Sequence, residues 1–447
     1  MKYKSLEDFM ETVVRRDPGQ PEFHQAVHEV MASIWPFIAA NPVYADQSLL
    51  DRLVEPERII QFRISWFDDK GEIHVNRGWR VQHSSAIGPF KGGMRFHKSV
   101  NLSVLKFLAF EQTFKNALTT LPLGGGKGGA DFDPKGKSDA EIMRFCQALA
   151  LELYRHLGPD TDVPAGDIGV GAREVGYMTG MVKKLTNSTA AYFTGKGISF
   201  GGSPLRPEAT GYGTVYFVEK MLEHRKLSFE GLRVAISGSG NVAQYAAEKA
   251  MALGARVVTI SDSDGFAYDP EGMTFSKLAL LQEIKNVQYG RVSDYAAKLG
   301  LHYEAGKKPW GVPVDVALPC AVQNELNEDD AKTLIKNGVL CVAEGANMPA
   351  TNGAVRAFHA AGTLFAPGKA SNAGGVATSG LEMAQNAMRF SWPPEEVEQR
   401  LRTIMHSIHD KCIEYGTQAD GSVNYVNGAN IAGFAKVADA MRRQGIT

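Results

Sequence analysis

The residue with the clearest chemical potential is a lysine surrounded by glycine. The segment Leu121–Asp131 reads Leu-Pro-Leu-Gly-Gly-Gly-Lys-Gly-Gly-Ala-Asp and places Lys127 among five glycines. Glycine in a folded element costs about 0.5–1 kcal/mol relative to alanine, so five of them indicate unusual backbone angles or the very close approach of another group. We interpret the segment as a loop that presents Lys127 to a bound small molecule. The alternative is a mobile surface loop that contains an incidental lysine.

Two further segments isolate a charged residue among small residues. Ile87–His97 carries Lys91 directly before two glycines, and Asp162–Gly171 carries Asp167 directly after Gly166. Three such segments in one chain are unlikely to arise by chance in loops without a ligand. They indicate one site to which two ammonium groups and a carboxylate contribute.

The helix predicted at about Ser103–Thr119 adds to the same site. At 100° per residue, Gln112 and Lys115 extend a stripe that starts with Leu105 and Leu108, while phenylalanines occupy the opposite side. A helix that is apolar on two sides is buried. We therefore expect Lys115 to be buried, either with a partner or with a shifted pKa.

Three ammonium groups and one carboxylate suit a substrate that carries two negative charges and needs a proton donor and acceptor. Because clustered ammonium groups repel one another, one lysine should have a lowered pKa and act as a base near neutrality, and Lys127 is the candidate. Structural alternatives remain open for the other residues. Lys91 and Asp167 would form an ion pair, the Lys115 ammonium would reach solvent, and Gln112 would cap a loop.

A dinucleotide fingerprint lies in the second half of the chain. The strand predicted at Arg233–Ser237 runs into Gly-Ser-Gly-Asn-Val-Ala at Gly238–Ala243 and then into a helix. The first glycine permits a tight turn, the second lets the backbone approach a pyrophosphate, and the helix N-terminus offers N–H donors. Asp262 ends the next strand about 20 residues later, where a carboxylate binds the adenosine ribose and favours NAD.

The residues that follow Asp262 leave the cofactor preference open. Ser263, Lys285 and Arg291 offer a hydroxyl and two cations to a 2′-phosphate if Asp262 turns aside or is protonated, which would select NADP. The alternative is that Lys285 and Arg291 are solvated charges on a helix face.

The pattern of predicted elements indicates an α/β protein of two domains, and 447 residues with 44% hydrophobic content suffice for two or three cores. Strands at Arg58–Trp66 and Ile73–Val81 predict a hairpin in a mixed sheet. We expect a substrate-binding and oligomerisation domain at residues 1–202 and a Rossmann-like, doubly wound dinucleotide-binding domain at residues 203–428. Residues 429–447 are predicted to fold back onto the first domain.

Composition excludes several classes of function. A net charge of -1 without runs of like charge argues against a nucleic-acid or anionic-membrane partner, and no apolar stretch approaches the ~20 residues of a membrane span. Four widely separated cysteines fit a reducing cytoplasm. His24, His28, His406 and His409 have helical spacing but no carboxylate to complete a ligand set, so we predict no metal site.

The chain resembles microbial glutamate dehydrogenases over nearly its whole length. The motifs that carry the resemblance occur in the family's order at Ile87–His97, Leu121–Ala130, Val163–Gly171, Arg206–Gly213, Gly238–Ala243, Ala343–Pro349 and Ala370–Glu382. The resemblance implies reversible reductive amination of 2-oxoglutarate with ammonium and a reduced nicotinamide cofactor to give L-glutamate. It also implies a homohexamer assembled through the first domain, with the strands at Arg58–Val81 as candidates for the interface.

By that resemblance, Lys127 is the catalytic lysine and Asp167 transfers protons. Gln112 and Lys115 bind the substrate's α-carboxylate. Lys91 and Ser379 bind its side-chain carboxylate, and Gly166 also belongs to the substrate site. Thr210 and Asn241 meet the nicotinamide side of the cofactor. The full set of expected cofactor residues is Arg206, Thr210, Gly238, Ser239, Gly240, Asn241, Val242, Asp262, Ser263, Lys285, Arg291, Asn347 and Asn372.

The expected cofactor is NADP, because the chain resembles the biosynthetic members of the family, with NAD as the alternative. The rival activity is that of a leucine, valine or phenylalanine dehydrogenase on the same scaffold. Lys91 discriminates between them, because an apolar substrate would leave its ammonium buried without a counter-charge. A catalytically silent nucleotide-binding protein is the alternative from a different class, although such a protein has no need of Lys127 and Asp167.

Overall fold

The computed structural model describes residues 2–45 and 48–446, which form two compact units. The first unit runs to Pro204 and also contains Val376–Val397 and the chain from Asn430 onward, and the second contains Leu205–Gly375 and Glu398–Ala429. The division differs from the predicted boundaries at 376–397, which the sequence analysis left in the second domain. A buried ion pair between Lys196 and Glu382, 2.6 Å long, ties this segment to the first unit.

The first unit combines helices with a five-stranded sheet. Helices α1 (Leu6–Arg16), α2 (Pro21–Ala40) and α3 (Leu49–Val54) precede the sheet. The following elements are, in chain order, β1 (Arg58–Phe67), β2 (Ile73–Ser84), β3 (Phe90–Phe96), α4 (Leu102–Leu118), β4 (Gly125–Ala130), α5 (Asp139–Leu153), β5 (Asp162–Gly166) and α6 (Ala172–Thr186). Helix α5 begins at a capping box in which Ser138 and Glu141 satisfy each other's backbone N–H groups.

The sheet places the three glycine-rich segments side by side. Its order is β1-β2-β4-β3-β5, with β1, β2 and β4 antiparallel and β3 parallel to both β4 and β5. The expectation that Lys127 lies on a loop was therefore wrong, because β4 is a fully buried central strand. Its glycines allow close packing: a Cβ on Gly125 would lie 1.9 Å from the Thr113 hydroxyl oxygen, and one on Gly92 of β3 would lie 1.7 Å from the Gly126 carbonyl oxygen.

Helix α4 buries a different lysine from the one predicted. Gln112 and Lys115 are only partly buried, so the expectation of a buried Lys115 was wrong. The buried lysine is Lys106, which is 1% exposed, pairs with Asp17 at 2.6 Å and lies 4.2 Å from the ring centroid of Phe23. Packing against α2 thus decides which face of α4 is buried.

One apolar core of the first unit joins the sheet to α5 and α6. Phe132 and Phe145 stack with ring centroids 3.8 Å apart, and Trp66 and Phe96 meet this pair edge-on. The core anchors β1 and β3, so the strand that carries Lys91 has a rigid support.

The second unit alternates strands and helices. Its elements are, in chain order, α7 (Ala209–His224), β6 (Arg233–Ile236), α8 (Asn241–Ala252), β7 (Arg256–Asp262), β8 (Gly265–Tyr268), α9 (Phe275–Gln282), α10 (Val292–Leu299), β9 (His302–Ala305), β10 (Val316–Leu318), α11 (Glu328–Lys336), β11 (Cys341–Ala343), α12 (Asn352–Ala360), β12 (Leu364–Ala366) and α13 (Gly368–Ser371). The chain passes between the units within α14 (Gly374–Met388), α15 (Pro394–Gly416) and α16 (Tyr425–Gln444). Among the described helices, none combines the length and apolar character that a membrane crossing requires.

The sheet of the second unit has the order β12-β11-β10-β6-β7-β8-β9. The strands from β12 to β7 are parallel, which confirms the predicted doubly wound sheet, whereas β8 and β9 are antiparallel. This edge pair, in which each strand has four residues, was not predicted from the sequence. The winding direction reverses between β6 and β10, and ligands of such sheets bind at the carboxyl ends of strands beside this point.

Candidate functional site

An ion-pair cluster of three side chains forms the centre of the site in the first unit. The Lys127 ammonium on β4 lies 3.2 Å from Asp167 Oδ2, and Arg95 on β3 donates from Nε to the same oxygen at 2.8 Å. The structure therefore brings together the two residues for which the sequence predicted chemistry, and it adds Arg95. Because two cations share one carboxylate, the cluster keeps an excess of positive charge.

Burial and neighbouring charges set the protonation of the cluster. Burial lowers the pKa of Lys127, Asp167 opposes this effect, and Arg95 and Arg80 lower the pKa further, so that it lies below the ordinary lysine value. Burial by itself raises the pKa of Asp167, but Lys127 and Arg95 outweigh it and hold the pKa below its ordinary value. The cluster thus combines an ionised carboxylate with an ammonium that loses its proton more readily than a solvated lysine does.

A tight turn holds Asp167 in place. Val170 donates its backbone N–H to the Asp167 carbonyl at 2.9 Å, and Gly169 between them has a φ of +73°, which side-chain-bearing residues rarely adopt. Gly93 on β3 leaves room for the carboxylate, because a Cβ there would lie 2.8 Å from Asp167 Cβ. Gly169 therefore permits the tight turn at Asp167, and Gly93 leaves space for its side chain.

Lys91 is a buried ammonium at the start of β3. It is 1% exposed and donates to the Thr194 hydroxyl at 2.8 Å. The Thr194 backbone N–H donates to the Pro164 carbonyl at 3.0 Å, which fixes the threonine beside β5. The Lys91 ammonium is thus held in the interior of the unit and oriented by the Thr194 hydroxyl.

Ser379 lies on α14, within the part of that helix that belongs to the first unit, and is 2% exposed. One turn later, Glu382 accepts hydrogen bonds from the Lys196 ammonium at 2.6 Å and from the Gly195 backbone N–H at 2.9 Å. These bonds join the helix that carries Ser379 to the segment that carries Thr194. The Lys196–Glu382 pair thus fixes the helix that carries Ser379 relative to the segment that carries Thr194, the partner of Lys91.

Gln112 and Lys115 lie on the partly exposed stripe of α4. Gln112 donates from Nε2 to Asn116 Oδ1 at 2.7 Å. Asn116 in turn donates from Nδ2 to the Gly124 carbonyl at 2.5 Å and to the Lys91 carbonyl at 3.0 Å. This buried amide links α4 to the segment before β4 and to the start of β3, so Gln112 has a fixed position relative to both lysine strands.

The fingerprint of the second unit has the geometry of a phosphate site. Gly238–Val242 forms the turn after β6 and the first turn of α8. Gly238 has a φ of +84°, and a Cβ there would lie 3.0 Å from the Cys320 carbonyl oxygen. Apart from its neighbours along the chain, no atom of the described residues lies within 4 Å of a Cβ position on Gly240, and the N-cap residue of α8 is Gly240 itself, which has no side chain to cap the helix. Open space and uncapped N–H donors fit the pyrophosphate of a dinucleotide.

Four further predicted cofactor residues of the second unit form two pairs. Arg206 and Thr210 both flank Gly375, with the Thr210 hydroxyl 2.7 Å and Arg206 Nη1 3.7 Å from a Cβ position there. Asn372 donates from Nδ2 to Asn347 Oδ1 at 3.0 Å. The glycine at 375 therefore keeps the space beside Arg206 and Thr210 open.

Both oxygens of Asp262 are engaged by backbone N–H groups. Oδ2 accepts from Val292 at 2.8 Å, and Oδ1 accepts from Asp264 at 3.0 Å. The Lys285 ammonium lies 3.6 Å from Oδ2. Asp262 thus turns toward the start of α10 and toward its own hairpin.

The candidate 2′-phosphate residues form one cluster. Lys285 lies in a short π-helical turn at Glu283–Val287 and donates to the Gly290 carbonyl at 2.9 Å. Arg291 donates from Nη1 to the Ser263 hydroxyl at 3.3 Å. Lys285 is mostly buried rather than a solvated helix-face charge, whereas Arg291 is exposed. The cluster therefore presents a hydroxyl and two cations at the end of β7.

Within the described ranges, Asp68, Glu72 and His74 bring three potential metal-ligand atoms within 4.8 Å of one another at the β1–β2 turn. The Asp68 carboxylate already accepts hydrogen bonds from the backbone N–H groups of Lys70 and Glu72 and contacts His74 at 2.9 Å. A turn-capping role accounts for this carboxylate without a metal.

Two family models match the chain. Residues 201–445 match the model described as Glutamate/Leucine/Phenylalanine/Valine dehydrogenase, and residues 56–184 match the dimerisation domain of the Glu/Leu/Phe/Val dehydrogenases. The chain belongs to this family. The resemblance inferred from the sequence is thereby confirmed.

Individual family members are similar over the full chain. The NADP-specific glutamate dehydrogenase of Salmonella typhimurium is 68% identical over 442 residues, which cover 99% of each chain. The NAD(P)-specific glutamate dehydrogenase of Xylanibacter ruminicola is 60% identical, over 98% of this chain and 99% of its own. The crystal structure of Plasmodium falciparum glutamate dehydrogenase superposes with a TM-score of 0.97 at 50% identity, covering 99% of this chain and 95% of that one.

Three residues of the dehydrogenase site were not found from the sequence. Arg95 lies in the motif at Ile87–His97, but it was not predicted as a site residue because an arginine on a strand is also typical of a solvent-exposed face. Thr194 directly precedes Gly195-Lys196-Gly197, in which a lysine lies between two glycines as in the segment around Lys127. Asn116 could have been found from the sequence, because a polar amide on the buried side of α4 needs hydrogen-bond partners.

Proposed function

We propose that the chain catalyses the reversible reductive amination of 2-oxoglutarate by ammonium, with NADPH as the reductant, to give L-glutamate. The reaction consumes one proton and releases NADP⁺ and water. The observation that carries the proposal is the sharing of one carboxylate, Asp167, by Lys127 and Arg95, together with the buried cation Lys91 on the strand that carries Arg95. This arrangement suits a doubly anionic oxo acid and a reaction that moves protons.

The two carboxylates of the substrate bind to separate groups of residues. Lys91 and Ser379 hold the side-chain carboxylate, for which Lys91 supplies the counter-charge. Gln112 and Lys115 hold the α-carboxylate from α4. Gly166 lies at the end of β5 beside Asp167 and leaves space there, since a Cβ would lie 2.5 Å from the Val170 carbonyl oxygen. This charge count favours a dicarboxylate over the aliphatic or aromatic substrates of other family members.

Lys127 and Asp167 carry out the steps at the carbonyl carbon. Lys127, as an ammonium, donates a hydrogen bond to the ketone oxygen and stabilises the negative charge that develops there as ammonia adds. Asp167 accepts a proton from the added nitrogen and returns a proton to the hydroxyl that leaves as water. The lowered pKa of Lys127 eases proton exchange with Asp167. Bound NADPH supplies the hydride that reduces the resulting iminium carbon.

The second unit serves as the dinucleotide-binding domain and the first as the substrate-binding and assembly domain. The uncapped start of α8 and the open space at Gly240 fit the pyrophosphate. Arg206, Thr210, Asn241, Asn347 and Asn372 line the nicotinamide side. Asp262 lies beside the ribose, and Ser263, Lys285 and Arg291 hold the 2′-phosphate. Because Asp262 keeps a ribose contact available, NADH is the alternative cofactor.

Steady-state kinetics with a panel of oxo acids tests this function. We expect ammonium-dependent oxidation of NADPH with 2-oxoglutarate and at least about tenfold lower kcat/KM with the oxo acids of leucine, valine and phenylalanine. A higher kcat/KM with an apolar oxo acid would favour the rival activity. No oxidation with any oxo acid, by a protein that still binds NADPH, would favour a silent nucleotide-binding protein.

We also propose that the β1–β2 hairpin takes part in assembly into a homohexamer. β1 is an edge strand, and Ile59, Phe67, Ile73 and Val75 on the hairpin are between 41% and 67% exposed. Exposed apolar residues on an edge strand and its neighbour are a liability unless another chain covers them. Light scattering coupled to gel filtration should show six copies of the chain, and Val75→Asp should shift the population to smaller species. A hexamer that tolerates this substitution would exclude the hairpin from the interface.

The proposed compartment is the cytoplasm. Cys146, Cys320, Cys341 and Cys412 are all buried and free. Thiols that stay unpaired suit a reducing compartment. Activity that fractionates with cytoplasmic markers would support this assignment, and activity in a membrane or extracellular fraction would contradict it.

A further inference from the structure

Asp264 is an anion within the cluster to which the proposed function assigns the 2′-phosphate. The Ser263 hydroxyl donates to Asp264 Oδ1 at 3.0 Å, and Arg291 Nε lies 3.3 Å from Asp264 Oδ2. The Asp264 side chain is 49% exposed. Two of the three phosphate donors are therefore already engaged by a carboxylate of this chain.

The backbone holds Asp264 at this place. It lies between β7 and β8, where its N–H donates to Asp262 Oδ1 at 3.0 Å and its carbonyl accepts from the Gly306 N–H at 2.7 Å. The Tyr303 ring approaches the same turn, since its hydroxyl oxygen lies 2.8 Å from a Cβ position on Gly265. The Asp264 carboxylate can rotate, but hydrogen bonds to Asp262 of β7 and to Gly306 after β9 fix the backbone that carries it.

We propose that Asp264 is a residue that determines cofactor specificity, because it competes with the 2′-phosphate for Ser263 and Arg291 and repels its charge. NADPH must displace the carboxylate from these donors, whereas NADH carries no 2′-phosphate and needs none of these donors. Asp264 therefore narrows the preference for NADPH over NADH and keeps NADH usable. The inference rests on the proposed function, because it takes this cluster as the 2′-phosphate site.

Two substitutions and a matched control test the role of Asp264. Asp264→Asn removes the charge but keeps the shape, and Asp264→Ser also removes the reach toward Arg291. Glu271→Gln makes the same change of net charge at an exposed residue beyond the opposite end of β8. Dissociation constants for NADPH and NADH are measured on the full-length protein by fluorescence titration. Thermal unfolding of each variant monitors folding.

We expect both Asp264 variants to bind NADPH about three- to tenfold more tightly at low ionic strength, with a smaller gain at high salt, because exposed charges are screened. NADH affinity should change less than about twofold. Glu271→Gln should change NADPH affinity less than either Asp264 variant does, because the length of β8 separates Glu271 from the cluster. Unchanged or weaker NADPH binding in both Asp264 variants would overturn the inference, as would an equal gain for NADPH and NADH. Failure of the proposed function is seen separately, as an absence of ammonium-dependent turnover in the unaltered protein.

Discussion

Replacement of Lys91 by leucine separates a dicarboxylate dehydrogenase from its rivals. Lys91 is 1% exposed and its ammonium has the Thr194 hydroxyl as a hydrogen-bond partner at 2.8 Å. In the proposed complex, the ammonium is the counter-charge of the substrate's side-chain carboxylate. Lys91→Leu keeps most of the side-chain volume but removes that charge, so the carboxylate of 2-oxoglutarate would enter a buried site without compensation.

The size of the effect follows from the burial of the pair. Removing one partner of a buried ion pair costs about 3–5 kcal/mol, because the other charge stays desolvated. At 1.36 kcal/mol per factor of ten, kcat/KM for 2-oxoglutarate should fall by about 10² to 5 × 10³.

The assay compares 2-oxoglutarate with an unbranched apolar oxo acid of the same length, 2-oxopentanoate, at saturating ammonium and cofactor. Lys91→Leu should lower kcat/KM for the first and raise it for the second. Lys106→Met is the matched control, because Lys106 is equally buried but pairs with Asp17. This control should lower stability and leave the ratio of the two substrates unchanged. Unchanged 2-oxoglutarate kinetics in Lys91→Leu would refute the assignment of Lys91.

Two further substitutions test the surroundings of the site. Arg95→Gln removes one of the two cations that share Asp167. Since Arg95 adds to burial in lowering the pKa of Lys127, that pKa should rise, and because Lys127 acts as an ammonium, the alkaline limb of the kcat/KM–pH profile should move to higher pH. A limb that stays in place or moves to lower pH would show that Arg95 does not tune Lys127. Glu382→Gln leaves the buried Lys196 ammonium without its counter-charge and should lower the free energy of unfolding in urea by about 3–5 kcal/mol. A loss below about 1 kcal/mol would mean that the pair does not hold α14 in place.

The sequence was sufficient for features that depend on local chain geometry. The turn at Gly238 and the uncapped start of α8 follow from the spacing of glycines after an apolar strand, so the fingerprint could be predicted in its strand–turn–helix context. The approach of Lys127 to Asp167 was also predictable, because unusual glycine content marked both segments. These signals are carried by a few consecutive residues and need no knowledge of the tertiary fold.

Features that depend on packing between distant elements were not predictable. Glycines of β4 were interpreted as loop residues, although the close approach of Thr113 requires them on a buried strand. Lys106 and Lys115 lie on the same helix, and only packing against α2 decides which of them is buried. Arg95 looked like a solvated strand residue until the fold placed Asp167 beside it.

The most direct test of the central claim follows the nitrogen and the reductant together. The unaltered protein and Lys127→Met are incubated with 2-oxoglutarate, ¹⁵N-ammonium and NADPH, and labelled L-glutamate is quantified against NADPH consumed. The unaltered protein should form one ¹⁵N-glutamate for each NADPH oxidised, while Lys127→Met should bind NADPH normally and lose at least about 10³-fold in rate. If Lys127→Met formed labelled glutamate at an undiminished rate, Lys127 would not be the catalytic lysine.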